Sequence, residues 1–252
     1  MKRFFRPLWF WSFAGAVTLV VLWEVSSRLM GSDLIFPGPL PVLGRFLTLV
    51  QSRVFLESAG RTFLRVCLGL CISAPLGIAA GLAAGLEKRA GAFLEPFFKL
   101  ISATPVMAVI LIVFLVFNAE RTPVFTVFLM AFPVLSANTV QGVRSVDPGL
   151  KEMVRAYGFS GREKLVRLYL PSIVPFIAGG LKSALSLSWK VAVAAEVLVQ
   201  PFRALGTGMQ RAKARLETAE LFAWTAATVL AAGLSELLFT LLMRRWKKGA
   251  SP

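Results

Sequence analysis

The stretch KEMVRAYGFSGREKLVRLYLPSIVPFIAGGLKSALSLSWKVAVAAEV, residues 151–197, changes character halfway along. Its first half interleaves basic residues with apolar and aromatic ones. Its second half begins around Pro171 and Pro175 and continues as a long apolar run. A basic amphipathic segment joined directly to an apolar helix of this length is typical of a chain that meets a membrane surface and then crosses it.

The chain as a whole has the composition of a membrane protein. Of its 252 residues, 56% are hydrophobic and 16% are charged, and the mean hydropathy is +0.71. Soluble domains carry about 25% charged residues. We therefore expect an all-α integral membrane protein in which residues 1–252 form a single transmembrane domain.

Six apolar segments approach the length of ~20 residues that a helix needs to cross ~30 Å of hydrocarbon. These predicted spans cover residues 8–29, 61–86, 93–117, 124–143, 173–199 and 221–243. The segment 42–50 follows a proline cluster and is too short to span, so we expect an interfacial helix on the outer face. In the polar segment 200–220, Gly206 and Gly208 predict helix breaks.

The distribution of Lys and Arg predicts the orientation of the chain. With both termini in the cytoplasm, the inner loops carry more Lys and Arg than the outer ones, which agrees with the positive-inside rule. The excess is moderate, because basic residues also occur in the outer segments. These outer residues are Arg28, Arg45, Arg53, Arg61, Arg65, Arg121, Arg203, Arg211, Lys213 and Arg215.

A stripe of glycines marks one face of the second predicted span. Gly69, Gly77, Gly81 and Gly85 are spaced four or eight residues apart, which places them on one side of a helix. Because small residues let two helix backbones approach each other in lipid, this stripe predicts a close helix–helix contact.

A spaced motif begins at Glu152 and reads E-M-V-x3-G-x9-L-x-L-P. It resembles the signature E-A-A-x3-G-x9-I-x-L-P of bacterial ABC importer permeases, the inner membrane components of binding-protein-dependent transport systems. The residues identical to that signature are Glu152, Gly158, Leu170 and Pro171. Met153 and Val154 stand where the family has two alanines, and Leu168 replaces isoleucine.

Other positions resemble the nitrate/sulfonate/taurine-type branch of these permeases, over about residues 34–246. They are Thr62, Arg65, Gly69, Leu94-Glu95-Pro96, Phe132-Pro133, Pro175, Gly179, Trp189, Ala195-Glu196 and Leu205-Gly206-Thr207-Gly208. The residues Asn118-Ala119-Glu120 depart from the branch, which usually has a glycine-containing turn there. The resemblance implies a type I ABC importer permease fold with six transmembrane helices, in a multi-pass protein of the cell inner membrane.

The resemblance also implies partners. It predicts a homodimer that binds separate ABC ATPase subunits and a periplasmic or extracellular substrate-binding protein. By this resemblance, segment 149–171 is the coupling segment, which docks in a groove of the ATPase. The residues assigned to this contact are Glu152, Arg155, Tyr157, Gly158, Phe159, Arg162, Leu168, Leu170 and Pro171. The alternative is an ordinary basic inner loop that lies on lipid head groups.

Several kinds of chemistry are not expected of this chain. It lacks the G-x4-G-K-[ST] motif, and the nearest string, residues 158–164, has the wrong spacing. It has no histidine, so we predict no metal site, no cofactor and no enzymatic activity, with ATP hydrolysis left to a partner subunit. Basic loops of a membrane protein contact anionic lipids, so the net charge of +15 does not predict nucleic-acid binding.

Polar residues in and just after the fifth predicted span fall within one sector of a helical wheel, and we expect them to line a translocation path. They are Lys182, Ser183, Ser186, Trp189, Lys190, Glu196 and Gln200. A buried ammonium in lipid is costly, so Lys190 should face a cavity, where it would favour an anionic substrate. Alternatively, Lys182 snorkels to the inner surface and Lys190 pairs structurally with Glu196 or Glu24.

The function that we expect is the transmembrane permease subunit of an ATP-driven importer for a small anionic solute of the nitrate, sulfonate or taurine kind. One alternative is the same machine importing a cofactor precursor such as a pyrimidine, thiamine or a flavin. An ion-coupled secondary transporter would show inverted repeats and several intramembrane acids. A membrane-embedded enzyme would need general-base or metal chemistry that the composition does not supply.

Overall fold

A computed structural model of the chain describes residues 8–249, and every regular element within them is a helix. In chain order the helices are α1 (Leu8–Met30), α2 (Pro39–Val50), α3 (Arg53–Leu86), α4 (Lys88–Ala103), α5 (Val106–Val116), α6 (Thr122–Arg144), α7 (Pro148–Ala156), α8 (Gly161–Glu163), a π-helical segment (Lys164–Tyr169), α9 (Leu170–Val199), α10 (Leu205–Ala214) and α11 (Thr218–Gly249). The all-helical fold class is therefore confirmed.

Five helical stretches of the described chain are long and apolar enough to cross a membrane. They are Trp9–Met30, Arg53–Leu86, Thr122–Arg144, Gly161–Val199 and Thr218–Arg245. A sixth crossing results if α4 and α5 together make one broken span. The short apolar helix expected over 42–50 is present as α2, which begins at Pro39, where the missing N–H of proline is harmless.

Helices α3 and α6 pack along the predicted glycine stripe. A Cβ atom added at Gly69 would lie 2.4 Å from Cγ1 of Val127, and one at Gly77 would lie 2.9 Å from Cβ of Leu135. No side chain fits at such distances, so the two backbones are in direct contact. The close helix–helix contact inferred from the stripe is thus confirmed.

The core lies where α3, α6 and α9 meet, with α10 and α11 closing one side. Its buried side chains include Val66, Val127, Leu185, Leu205 and Trp224. Apolar residues on the outward faces of α1, α5 and α11 remain exposed, as expected for surfaces that face lipid or another subunit.

The third predicted span, residues 93–117, is not one continuous helix. Helix α4 ends at Ala103 and α5 begins at Val106, and their axes differ by 100°. Pro105 explains the break, because it has no N–H to donate and its ring holds the preceding Thr104 in an extended conformation, at φ −73° and ψ 126°.

The fifth predicted span, 173–199, extends further than the sequence indicated. Helical backbone runs without a break from Gly161 through the π-helical segment to Val199. Pro171 does not end it: this proline is the second residue after the π-helical segment, and the helix continues through it. The hydroxyl of Ser172 donates to the carbonyl of Leu168, 2.7 Å away, and so satisfies an acceptor beside the proline.

The predicted helix breaks at Gly206 and Gly208 are wrong, because α10 runs through both. A Cβ atom at Gly206 would lie 2.6 Å from Cβ of Glu196, and one at Gly208 would lie 2.5 Å from the ring of Trp224. These glycines let α10 approach α9 and α11 closely, which is a packing requirement that sequence alone does not distinguish from a turn.

Substituting one glycine of the stripe should destabilise the bundle. In Gly81→Ala the new methyl group would lie 2.6 Å from both the Ser136 carbonyl oxygen and Cβ of Thr139. We expect overpacking to lower the free energy of unfolding by about 1–3 kcal/mol, measured as a lower Tm of the purified protein in detergent. Gly60→Ala, on the same helix with no atom within 4 Å of the new Cβ, is the control. Equal Tm values for the two variants would contradict the packing role.

Candidate functional site

The coupling segment folds as a short helix, a tight turn and a second helical start. The Asp147 carboxylate caps α7 by accepting a hydrogen bond from the backbone N–H of Leu150, 3.1 Å away. Gly158 has φ +67°, a left-handed conformation that other residues adopt only with strain. Ser160 and Glu163 then form a reciprocal capping box at the start of α8.

A small apolar core of its own holds this segment in shape. Val146, Val154 and Leu168 are buried together, with Phe159 packed against them and the guanidinium of Arg167 placed 6.0 Å from its ring centroid. The other residues predicted to contact the ATPase are exposed around this core. They are Glu152, Arg155, Tyr157, Gly158, Arg162, Leu170 and Pro171.

An ion cluster centred on a buried arginine lies at the opposite end of α9. Arg65 on α3 is 5% exposed, and Nη1 lies 2.9 Å from Oε1 of Glu196 on α9, which is 0% exposed. Nη2 of Arg65 lies 2.6 Å from Oε2 of Glu120, an exposed residue in the turn before α6. One guanidinium therefore bridges two carboxylates from distant parts of the chain, an arrangement that we call the arginine clamp.

Further hydrogen bonds from the protein satisfy the buried carboxylate of Glu196. Glu196 accepts from the Thr62 hydroxyl at 2.9 Å and from the backbone N–H of Gly206 at 3.2 Å. Thr62 in turn accepts from the N–H of Leu205 at 3.1 Å. No buried side-chain nitrogen or oxygen among residues 9–245, the part of the chain whose side chains are described, lacks a partner. The cluster therefore meets the condition under which buried ions are tolerated.

The clamp also fixes the loop between α9 and α10. Gln200 and Arg203 have φ values of 47° and 51°, so two non-glycine residues in this loop adopt the left-handed conformation. The carboxylate of Glu120 accepts from the N–H of Phe202 at 2.7 Å. A strained backbone of this kind persists only where surrounding contacts hold it in place. In this loop the hydrogen bond from Phe202 to Glu120 of the clamp is such a contact.

Residues 73–250 match the family described as "Binding-protein-dependent transport system inner membrane component". The chain belongs to this family. It is a permease subunit of an ABC importer and a multi-pass protein of the inner membrane, which confirms the resemblance carried by the spaced motif.

Two relatives from Escherichia coli cover most of the permease. It is 32% identical over 232 residues to the putative aliphatic sulfonates transport permease protein SsuC, covering 91% of this chain and 88% of the relative. It is 29% identical over 236 residues to the taurine transport system permease protein TauC, covering 91% and 86%. The nitrate import permease protein NrtB of Synechococcus elongatus is 27% identical over 190 residues, covering 71% and 68%.

Solved structures share the fold of the permease at low sequence identity. An amino acid ABC transporter crystallised with histidines gives a TM-score of 0.66 at 17% identity, covering 81% of this chain and 97% of that one. A bacterial ABC transporter involved in the import of the acidic polysaccharide alginate gives a TM-score of 0.63 at 19% identity, covering 96% of each chain. The type I permease fold is thereby shown.

The predicted polar stripe on α9 divides into two groups in the permease. Lys182, Ser183, Lys190 and Gln200 are exposed, and Ser186 is half-buried. Trp189 and Glu196 are instead buried, and the indole N–H of Trp189 donates to the hydroxyl of Ser235 on α11 at 2.7 Å.

The assignment of Glu196 and Trp189 to a single path-lining face is therefore corrected. The helical wheel groups residues by angle, but whether a polar side chain faces water depends on its partner from another helix. The alternative pairing of Lys190 is also wrong among the described residues, because Glu196 pairs with Arg65 and Glu24 pairs with Arg28.

A cavity of about 820 Å³ opens between the ends of α3, α4 and α6 that lie near the coupling segment. Its polar lining includes Lys88, Glu95, Gln141 and Arg144, of which Glu95 is paired with Lys99. Sequence reasoning did not single out Lys88 or Arg144 as site residues, since each looks like an ordinary basic residue at a helix end.

Removing the central cation of the clamp should destabilise the permease strongly. Arg65→Met leaves the fully buried Glu196 carboxylate without its counter-ion, which typically costs about 3–5 kcal/mol. We expect a large drop in Tm in detergent, partly restored in the double variant Arg65→Met/Glu196→Met. Arg53→Met, which breaks the solvent-exposed pair with Glu57, is the control and should change Tm little. A similar, small effect of both single variants would contradict the clamp's structural role.

Proposed function

We propose that two copies of this permease form the translocation path of an ATP-driven importer. Separate ATPase subunits bind the coupling segment, and an extracellular binding protein delivers the solute to the opposite face. The observation that carries this proposal is the coupling segment itself, with its signature residues exposed around a rigid apolar core. A basic loop that merely rested on lipid head groups would need no such core.

The surface chemistry of the coupling segment suits a protein groove. Tyr157 is 77% exposed beside the left-handed Gly158, and Glu152 and Arg155 are exposed on α7. Aromatic residues and arginine are enriched at the centres of protein interfaces. We infer that Tyr157 enters the ATPase groove while the charged residues fix its orientation.

Helix α9 connects this contact to the translocation path. Its 30 residues span about 45 Å, which exceeds the ~30 Å of the hydrocarbon core. A movement imposed on the coupling segment is thus carried along one helix to the arginine clamp. Closure of the ATPases on ATP binding would move this helix and open the path to the other side.

The solute that we propose is a small oxyanion. The names of the relatives refer to aliphatic sulfonates, nitrate, taurine and bicarbonate, all of which carry an anionic oxygen group. In this chain Lys182 and Lys190 are exposed on α9, and Lys88 and Arg144 line the large cavity. Cations at successive depths would favour an anion over a neutral or cationic solute.

The orientation that we propose places both termini and the coupling segment in the cytoplasm. It is supported by the excess of Lys and Arg in the inner loops. The loop between α9 and α10 then lies outside, where the binding protein arrives. The alginate transporter that shares this fold was crystallised "in complex with alginate pentasaccharide-bound periplasmic protein".

Reconstitution tests the proposed function. The permease is purified with candidate ATPase subunits, placed in lipid nanodiscs and assayed for ATP hydrolysis, with and without binding proteins loaded with taurine, nitrate or an alkanesulfonate. We expect a stable complex whose ATP hydrolysis rises with one loaded binding protein. If no ATPase subunit associates with the permease, the proposed function is wrong.

The turn at Gly158 should be essential for ATPase binding. Gly158→Val places a β-branched residue in the left-handed region, which costs about 1–3 kcal/mol in local strain. We expect the turn to rearrange and co-purification of the ATPase to fall by about tenfold, since 1.4 kcal/mol is a factor of ten. Gly161→Val is the control, because Gly161 has helical backbone and no atom near an added Cβ. Equal co-purification of the two variants would contradict this prediction.

The charge of Lys190 should matter for transport. The residue lies about 30 Å along α9 from Leu170, within the hydrophobic part of the helix. We expect Lys190→Met to lower kcat/KM for uptake of the oxyanion into proteoliposomes by about tenfold, equivalent to ~1.4 kcal/mol of lost attraction. Lys190→Arg, which keeps the charge, should retain transport. Normal uptake by Lys190→Met would show that the charge of Lys190 does not select for the anionic solute.

A further inference from the structure

The outer segments of the permease carry more arginine than membrane topology requires. Some of these residues are accounted for: Arg65 forms the clamp, Arg28 pairs with Glu24 and Arg53 pairs with Glu57, whose other carboxylate oxygen lies 3.5 Å from Arg203. Others lie near one another on the surface around the loop between α9 and α10. They are Arg61, Arg203, Arg211 and Arg215. Because the positive-inside rule disfavours basic residues on this side, their presence calls for a partner.

At the centre of these arginines is an exposed aromatic side chain. Phe202 is 58% exposed, and the guanidinium carbons of Arg61 and Arg203 lie 5.5 Å and 5.3 Å from its ring centroid. The arginines therefore hold the ring from α3 and from the loop. Its backbone N–H is held by Glu120, so the ring is presented on a fixed support.

A small cavity continues this surface. It has a volume of about 250 Å³ and is lined by Arg203, Arg211 and Arg215, with the indole of Trp224 also in its wall. One carboxylate, Glu220, is present and accepts a hydrogen bond from the Trp224 N–H at 3.2 Å. Arg203 is also paired with Glu57, which is not among the residues that line the cavity. The three guanidiniums still outnumber the two carboxylates, so the cavity keeps an excess of positive charge, and its size suits the side chain of a glutamate or aspartate.

We propose that Phe202, Arg61, Arg203, Arg211 and Arg215 form the surface on which the substrate-binding protein docks. This proposal rests on the proposed function and specifies the chemistry of the partner. The partner presents an apolar socket that takes the ring of Phe202, a rim of acidic residues that faces the arginines, and one carboxylate that enters the cavity.

The observations favour a protein over a lipid head group at this surface. Lipid recognition by basic residues needs only mobile side chains near the membrane plane. Here the exposed ring sits on a loop with two left-handed residues, fixed from beneath by the clamp. A rigid aromatic flanked by arginines is the composition of an interface hot spot, and preorganisation lowers the entropy that docking would otherwise cost.

The test titrates the binding protein that stimulates the wild-type complex and measures the concentration giving half-maximal ATP hydrolysis. We expect Phe202→Ala and Arg203→Glu each to raise this concentration by about tenfold or more, the size typical of a hot-spot residue. Arg28→Glu places the same charge change on α1, at a residue that pairs with Glu24 and does not line the cavity or contact Phe202, and should leave the concentration unchanged. Added salt should weaken docking to wild type more than docking to Arg203→Glu.

Two further arms separate the possible outcomes. Replacing single acidic residues of the binding protein by lysine should restore docking to Arg211→Glu at one position, which identifies the carboxylate that enters the cavity. The titration is repeated in phosphatidylcholine and in phosphatidylglycerol nanodiscs. If the variants differ from wild type only in the anionic lipid, the surface binds head groups and the proposal is overturned.

The remaining results are also decisive. Unchanged half-maximal concentrations for both Phe202→Ala and Arg203→Glu overturn the docking surface and leave the proposed function intact, because the complex still responds to the binding protein. A wild-type complex that binds its ATPase but responds to none of the binding proteins overturns both. Correct folding of each variant is checked by co-purification with the ATPase, whose contact lies at the other end of α9.

Discussion

The fold depends on one buried cation, the guanidinium of Arg65. A charge in the interior of an apolar bundle must be paired and hydrogen-bonded, so its position dictates where its partners lie. Glu196 fixes α9 against α3, and Glu120 fixes the turn before α6 to the same point. The two carboxylates also accept hydrogen bonds from the backbone N–H groups of Phe202 and Gly206. Helix α3, the turn before α6 and the end of α9 are distant in sequence, and all three are bonded to this one guanidinium.

The glycine stripe and the arginine clamp constrain the packing of the helices in different ways. The glycines of α3 bring its backbone into contact with α6, but smooth surfaces of this kind allow two helices to slide past each other. A guanidinium that bonds to two carboxylates on other parts of the chain restricts such sliding. In this bundle the glycine stripe sets the distance between helices, and the arginine clamp sets their register along the axis.

Features that depend on residue spacing within one segment were predicted from the sequence, whereas contacts between distant segments were not. The glycine stripe and the family motif depend on spacing within one segment, so each could be predicted from the sequence. The burial of Glu196 could not, because its partner Arg65 lies 131 residues earlier. Gly206 was misread for a related reason: a glycine needed for close packing and one needed for a turn look the same until the neighbouring helix is known. Glu120 was noticed only as a departure from the family pattern.

The π-helical segment at residues 164–169 gives the long helix a property that a uniform rod lacks. A π turn holds more residues than an α turn, and such turns are common at functional positions. Each residue of an α-helix advances about 100° around the axis. If the π turn lost its extra residue to a neighbouring α turn, the coupling segment would rotate about the helix axis by roughly that angle, and the backbone would stay helical. This segment is therefore a place where the coupling segment can rotate relative to the membrane helix while the two stay joined.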